Sequence, residues 1–286
     1  MDEATPLATA SLEEHCANCG APLAGEYCSR CGQRRITAAD HLSMRHFVGE
    51  AVAHVVDIEH SKMFRSVVAL LIRPGLLTTE YTVGRRVDWI TPLRLYLSIF
   101  AISFFLYSAF KSVAVYDLST LIEMDKAGTM RAAIEKLAGQ KHIAPDVFIS
   151  AINAKWRTYL SFSQVVYPIL LAVVLVALYL PQRRYLVEHV VFSIHFQAFA
   201  MLLVILAWPL YLLNGLVITG RTAALPLAVN AIMIAYIVVA LRRVYQQSWT
   251  VSSVKGVLLF ACYYVIYTVV TFGLIAVAVA AVLRGW

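Results

Sequence analysis

Along the 286-residue chain, the pattern of apolar and polar positions changes character twice. Residues 1 to about 35 are largely polar and contain no apolar run. From 37 to 91, apolar positions recur at helical spacing in stretches too short to cross a bilayer. "HFVGEAVAHVVDI" and "KMFRSVVALLI" each predict an amphipathic helix. "RPGLLTTEYTVGRRVDWITP" then breaks the pattern with Pro74, Gly75, Gly84 and Pro92. Beyond residue 92 the apolar positions fuse into runs of roughly 20 residues, enough for a hydrocarbon core of about 30 Å. Five spans are expected: 92–110, 163–180, one within 190–218 where Pro209 allows a kink, about 223–241, and about 256–283. A loop at about 111–162 separates the first two and carries helical spacing of its own. No internal repeat or low-complexity tract is visible.

Composition agrees with this pattern. The chain is 60% hydrophobic and only 14% charged, with a mean hydropathy of +0.71, well outside the soluble globular range. The first apolar run begins near Pro92, so no cleavable signal peptide is expected. The net charge of +7 marks loops beside spans rather than nucleic-acid affinity. Arg85, Arg86 and Arg94 precede the first span, Arg183 and Arg184 separate the second and third, and Arg242, Arg243 and Lys255 lie between the fourth and fifth. The positive-inside rule therefore places the N-terminus in the cytoplasm and the C-terminus outside.

The polar N-terminus carries "CANCGAPLAGEYCSRCGQ" at 16–33. Two CxxC turns offer four sulfurs from Cys16, Cys19, Cys28 and Cys31, the set that tetrahedral Zn²⁺ prefers. Gly20 and Gly32 follow the pairs, where the absence of a Cβ lets each turn close. Two redox pairs are the competing reading, but no thioredoxin-like pattern surrounds them. Four thiolates saturate the ion, so this Zn²⁺ is structural, and a module so short depends on it to fold. Thiolates also persist in a reducing cytosol, which agrees with the orientation drawn from charge. Arg30, Arg34 and Arg35 suit a protein or lipid contact. Nucleic acid is not the expected partner, because nothing aromatic interleaves them.

Two further constellations carry polar groups to the membrane. The third span opens "YLVEHVVFSIHFQAF", in which Glu188 and His195 share a helical face and His189 lies beside it. Ionisable groups at such a place suggest a metal or proton site. The plain alternative is interfacial snorkelling, with His195 bonded to a neighbouring helix. Between 73 and 94, Arg73, Arg85, Arg86, Trp89 and Arg94 form an interfacial belt suited to lipid headgroups or a partner. No nucleophile motif, phosphate loop or HExxH appears, so the case for an enzyme depends on the third span alone.

With those residues in view, the chain resembles the bacterial domain-of-unknown-function 3667 family. The resemblance is carried by "CANCG…YCSRCGQ", "RPG…EY…GRRVDWITPLRLY" and "EHVVFSIHFQAF" in that order. It implies a ribbon joined to several spans and implies no activity. Members often have a second His where Gln197 stands, and an amide is a poor ligand. Taken together, the expected protein is all-α and polytopic: a zinc ribbon over 1–35, interfacial helices over 36–91 and a five-span domain over 92–286. Its expected role is to bind lipid or a cytoplasmic protein partner. The rival role is a transporter or intramembrane metal-dependent enzyme centred on Glu188, His189 and His195.

Overall fold

The computed structural model describes residues 15–35, 42–45, 47–48, 60–109, 118–213 and 224–285. Of the first amphipathic helix expected, over 46–58, only 47–48 are among the described residues, both helical, and the turn between the third and fourth spans lies outside them. Among those described the fold is helical, with two isolated bridges, His15 to Pro22 and Tyr27 to Arg34, in the cysteine module.

Helix α1, His60–Ile72, buries Ser66, Ala69 and Leu70 on one face. It ends at Pro74, whose ring cannot continue it. Gly75 turns the chain at φ 75 into α2, Leu76–Thr82, a seven-residue helix inside the stretch that reads as a break. The chain returns through 84–91 to α3, Pro92–Ala109, which carries proline at its first turn, where no N–H is needed.

The helical spacing within the expected loop corresponds to a small helical unit. Helices α4 (Leu118–Met124), α5 (Thr129–Gln140) and α6 (Pro145–Ser163) enclose Phe148, Ile152 and Trp156, and Asn153 accepts the N–H of Leu118 at 2.8 Å. Ala278 and Val282 complete this second core. They belong to the end of α10, Trp249–Gly285, whose 37 residues reach about 55 Å and so outrun the hydrocarbon thickness.

Helices α7 (Val166–Tyr179), α8 (Leu186–Leu213) and α9 (Ala224–Tyr245) complete the bundle. The main core draws on α1, α2, α3, α7, α8, α9 and the near part of α10. Helix α8 is its axis, with 67% of its most apolar window buried against 28% for α9 and 11% for α10. The α10 face bearing Val265, Val269 and Phe272 is more than half exposed, as a lipid-facing surface would be.

Three helices are long and apolar enough to cross a membrane: Leu186–Leu210, Leu225–Tyr245 and Trp249–Gly285. This makes the chain a membrane protein. The first two expected spans form shorter apolar helices, Pro92–Leu106 and Val166–Gln182. The second starts only at Val166, because Gln164 and Val165 interrupt the helical run between α6 and α7.

Basic side chains gather at one end of the bundle and grip its aromatic rings. The Lys255 ammonium lies 3.9 Å from the Tyr179 ring centre, and the Arg242 guanidinium lies 4.3 Å from that of Trp249. Arg243 donates to the Pro74 carbonyl at 2.8 Å. Tyr179 stacks on Tyr245 at 3.7 Å, so α7, α9 and α10 are fastened at this end.

Candidate functional site

The cysteine module is built from two similar turns. Gly20 donates its N–H to Cys16 at 2.8 Å, and Gly32 donates to Cys28 at 2.9 Å. Cys16 and Cys28 donate in turn to Ala21 and Gln33, each at 2.8 Å. The glycines sit at φ 72 and 73, the left-handed region that closes such a knuckle. The four sulfurs lie within 4.8 Å of one another, with Cys16 to Cys31 and Cys19 to Cys28 both at 3.5 Å. A tetrahedron of thiolates about 2.3 Å from Zn²⁺ has edges of about 3.8 Å, so this donor set fits an ion of that kind. The N–H groups of Cys31 and Arg30 hold the Cys28 thiol down to about 6, favouring its thiolate. Burial beside the other sulfurs pushes Cys31 up to about 12, since four neighbouring thiols cannot all ionise without a cation among them. The four cysteines could hold a metal ion.

The module is fixed to the helices by the residue that follows it. Gln33 is 6% exposed and uses both ends of its amide. Its Nε2 donates to the Gly84 carbonyl at 2.9 Å, and its Oε1 accepts the Arg86 N–H at 3.2 Å. The knuckles thus rest on the "GRR" turn after α2. Arg85 forms a two-pronged pair with Glu80, at 2.6 and 2.8 Å, and this carboxylate raises its affinity for its proton. The Arg86 guanidinium lies 4.2 Å from the Tyr81 ring centre, and Arg65 pairs with Asp88 at 3.3 Å. Trp89 is half-buried, Arg73 is exposed, and Arg94 has buried Nε and Nη2 atoms with no hydrogen-bond partner.

The three ionisable groups of α8 are all buried, and each has a different partner. Glu188 accepts from Arg184, one turn earlier, at 3.1 Å, and from the Tyr185 N–H at 3.3 Å. His189 Nδ1 shares a 2.7 Å hydrogen bond with the Tyr245 hydroxyl. His195 Nδ1 shares one of 2.9 Å with the Thr78 hydroxyl of α2. Among the described residues, the cysteine module is the one group of three or more His, Cys, Asp or Glu side chains able to hold an ion. Glu188, His189 and His195 are therefore not gathered into a ligand set. Tyr96, on α3, donates to the Gln164 carbonyl at 2.8 Å. Gln197 joins a polar chain within the bundle: its Nε2 donates to Gln164 at 3.1 Å, and its Oε1 accepts from Tyr263 at 3.2 Å.

Beneath the "GRR" turn is a cleft of about 20 Å³ lined by Tyr81, Arg85, Arg86, Trp89, Thr91 and His195, among others. It brings together His195 and the belt arginines, which are more than a hundred positions apart in sequence. The family model described as "Protein of unknown function (DUF3667)" matches residues 60–104. That segment belongs to this family. The DUF3667 segment comprises α1, α2, the "GRR" turn and most of α3, so it supplies nearly the whole wall of the cleft. The knuckles and α8 lie outside the match. No curated protein and no solved structure matches the chain.

Sequence reasoning missed Gln33, Thr78 and Thr91. For Gln33 and Thr78 the partners lie 51 to 117 positions away, and no local pattern announces them.

Proposed function

We propose that this chain is a non-enzymatic protein of the bacterial inner membrane that binds anionic lipid, or a protein partner, at its cytoplasmic face. A structural Zn²⁺ held by Cys16, Cys19, Cys28 and Cys31 shapes that face. The observation that carries this reading is the docking of the cysteine module, through Gln33, onto the basic turn of the DUF3667 segment. A closed four-sulfur site has no open position for substrate or water, so its part is to hold the backbone around it. The basic end of the bundle, with Arg73, Arg85, Arg86, Arg94 and Trp89 beside the spans, suits acidic headgroups on the cytoplasmic leaflet. Helices α3 and α7 complete five spans in this reading, with a modest mismatch met by tilt or local thinning. The rival, a transporter or intramembrane metalloenzyme on Glu188, His189 and His195, gains nothing from three groups with three separate partners.

The test is the lipid that accompanies the purified full-length protein. Acidic phospholipid should be enriched over its share of the source membrane, and Arg73→Gln combined with Arg94→Gln should reduce the enrichment. A lipid profile equal to the bulk membrane, together with no cross-linked protein at the cysteine module, would overturn the reading.

A further inference from the structure

We propose that the cleft between α2, the 84–92 segment and α8 is a binding site for a single phosphate group. The proposal deepens the reading above, because it gives the cytoplasmic face a specific ligand chemistry. The argument begins with His195. Its side chain is 4% exposed, its Nδ1 is tied to Thr78, and its Nε2 has no hydrogen-bond partner although it lines the cleft. Thr91 also lines the cleft, and its Oγ1 is buried without a partner. Buried polar atoms are almost always bonded, so two orphans on residues that line one small space call for a group that meets both. If the Thr78 hydroxyl donates to Nδ1, the imidazole carries its proton on Nε2 and presents a donor to the cleft. The Thr91 hydroxyl can donate as well.

The lining also carries two guanidinium groups. Arg85 and Arg86 border the cleft, with Glu80 gripping Arg85 and the Tyr81 ring supporting Arg86. Donors and positive charge select an anion that offers only acceptors. A space of about 20 Å³ holds little more than one water by the usual measure, so it takes the tip of a tetrahedral oxyanion and excludes a sugar or base. Trp89, also in the lining, is the residue type that sits at headgroup depth, where phosphates are concentrated. Gln33 holds the backbone of Gly84 and Arg86, so the cysteine module fixes one edge of the site.

The experiment uses the full-length protein in maltoside detergent, with phosphorus NMR titrations of inorganic phosphate and of a short-chain phosphatidic acid. Both probes carry the group, and their comparison separates the sources. Tight binding of the lipid alone assigns the site to a headgroup, and equal binding with mutual competition assigns it to the free ion. Arg86→Gln should weaken binding by about tenfold, as loss of a charge-assisted contact implies. Thr91→Val, nearly unchanged in shape, should weaken it severalfold with melting temperature and metal content unaltered. His195→Phe serves as a third variant only if it melts like the parent. The proposal is overturned if neither probe binds, or if Arg86→Gln and Thr91→Val bind as tightly as the parent. Acidic-lipid enrichment that survives with an inert cleft would remove this site and leave the cytoplasmic-face reading intact. Cleft-dependent phosphate binding without enrichment would do the reverse.

Discussion

Gln33 carries one donor group and one acceptor, and the fold uses both on backbone groups of another segment. Shortening it to alanine leaves the Gly84 carbonyl and the Arg86 N–H without protein partners in a partly buried place, at a cost of roughly 1–3 kcal/mol. Gln33→Ala should therefore loosen the module from the bundle while the sulfur cluster stays whole. Trypsin should cleave faster at Arg34 or Arg35, with metal content unchanged; equal protection would show that the clamp is dispensable. Cys28→Ser acts on the other side of the contact. One of four ligands is lost, so about one equivalent of zinc per chain should fall toward none, because a single ion needs the closed tetrahedron. The helices should remain inserted. Full zinc in a Cys16 and Cys28 double substitution would dispose of the assignment.

Two glycines separate backbone strain from close packing at the scale of elements. Gly75 and Gly128 sit at φ 75 and 70, where a side chain costs roughly 1–2 kcal/mol. A Cβ on Gly75 would also lie 2.9 Å from the Ala240 carbonyl oxygen, whereas one on Gly128 meets nothing within 4 Å. Gly75→Ala should therefore lower the melting temperature clearly more than Gly128→Ala, the difference reporting how closely α2 approaches α9. Asp125 gives a pH test in the small helical unit. It accepts from the Met130 N–H at 2.6 Å and from Thr129 at 2.9 Å, and these bonds hold its carboxyl below the ordinary range. A lowered acid stabilises the folded state above its ordinary value and loses that contribution as pH falls through its folded value. Amide protection at the start of α5 should drop below about pH 4, and Asp125→Asn should flatten that drop. Such elements differ in how far the chain announces them. Cysteine spacing and the long apolar runs are local signals and were legible. Helix α2 was not, because Pro74 and Gly75 mark a break and its reason to fold, the packing of Leu77 and Tyr81 with the Thr78 contact to α8, lies in distant residues. The run at 256–283 reads as one span, since nothing in its pattern separates the lipid-facing part from Ala278 and Val282, which pack in the second core.

At the scale of the molecule, the second core links two questions, the number of spans and the side on which 118–163 lies. Helices α4 to α6 pack on the last turns of α10, so this unit sits at the end of the bundle that holds the C-terminal turns. The cysteine module, Arg184, Arg243 and Lys255 gather at the other end. In the orientation proposed above from the positive-inside rule, that end is cytoplasmic. A chain with only α8, α9 and α10 across the membrane would still export its C-terminus, so a reporter after Trp286 cannot tell three spans from five. The helical unit can. It reaches α10's far end only if α3 carries the chain across and α7 brings it back, so 118–163 is expected outside with the C-terminus. Lys141 and Arg183 are both exposed and lie on opposite sides in this arrangement. In intact spheroplasts a membrane-impermeant maleimide should label Lys141→Cys at once and Arg183→Cys only after permeabilisation. Protection of Lys141→Cys until permeabilisation would leave α3 and α7 on the cytoplasmic side, reduce the spans to three, and separate 118–163 from the C-terminal turns against which it packs.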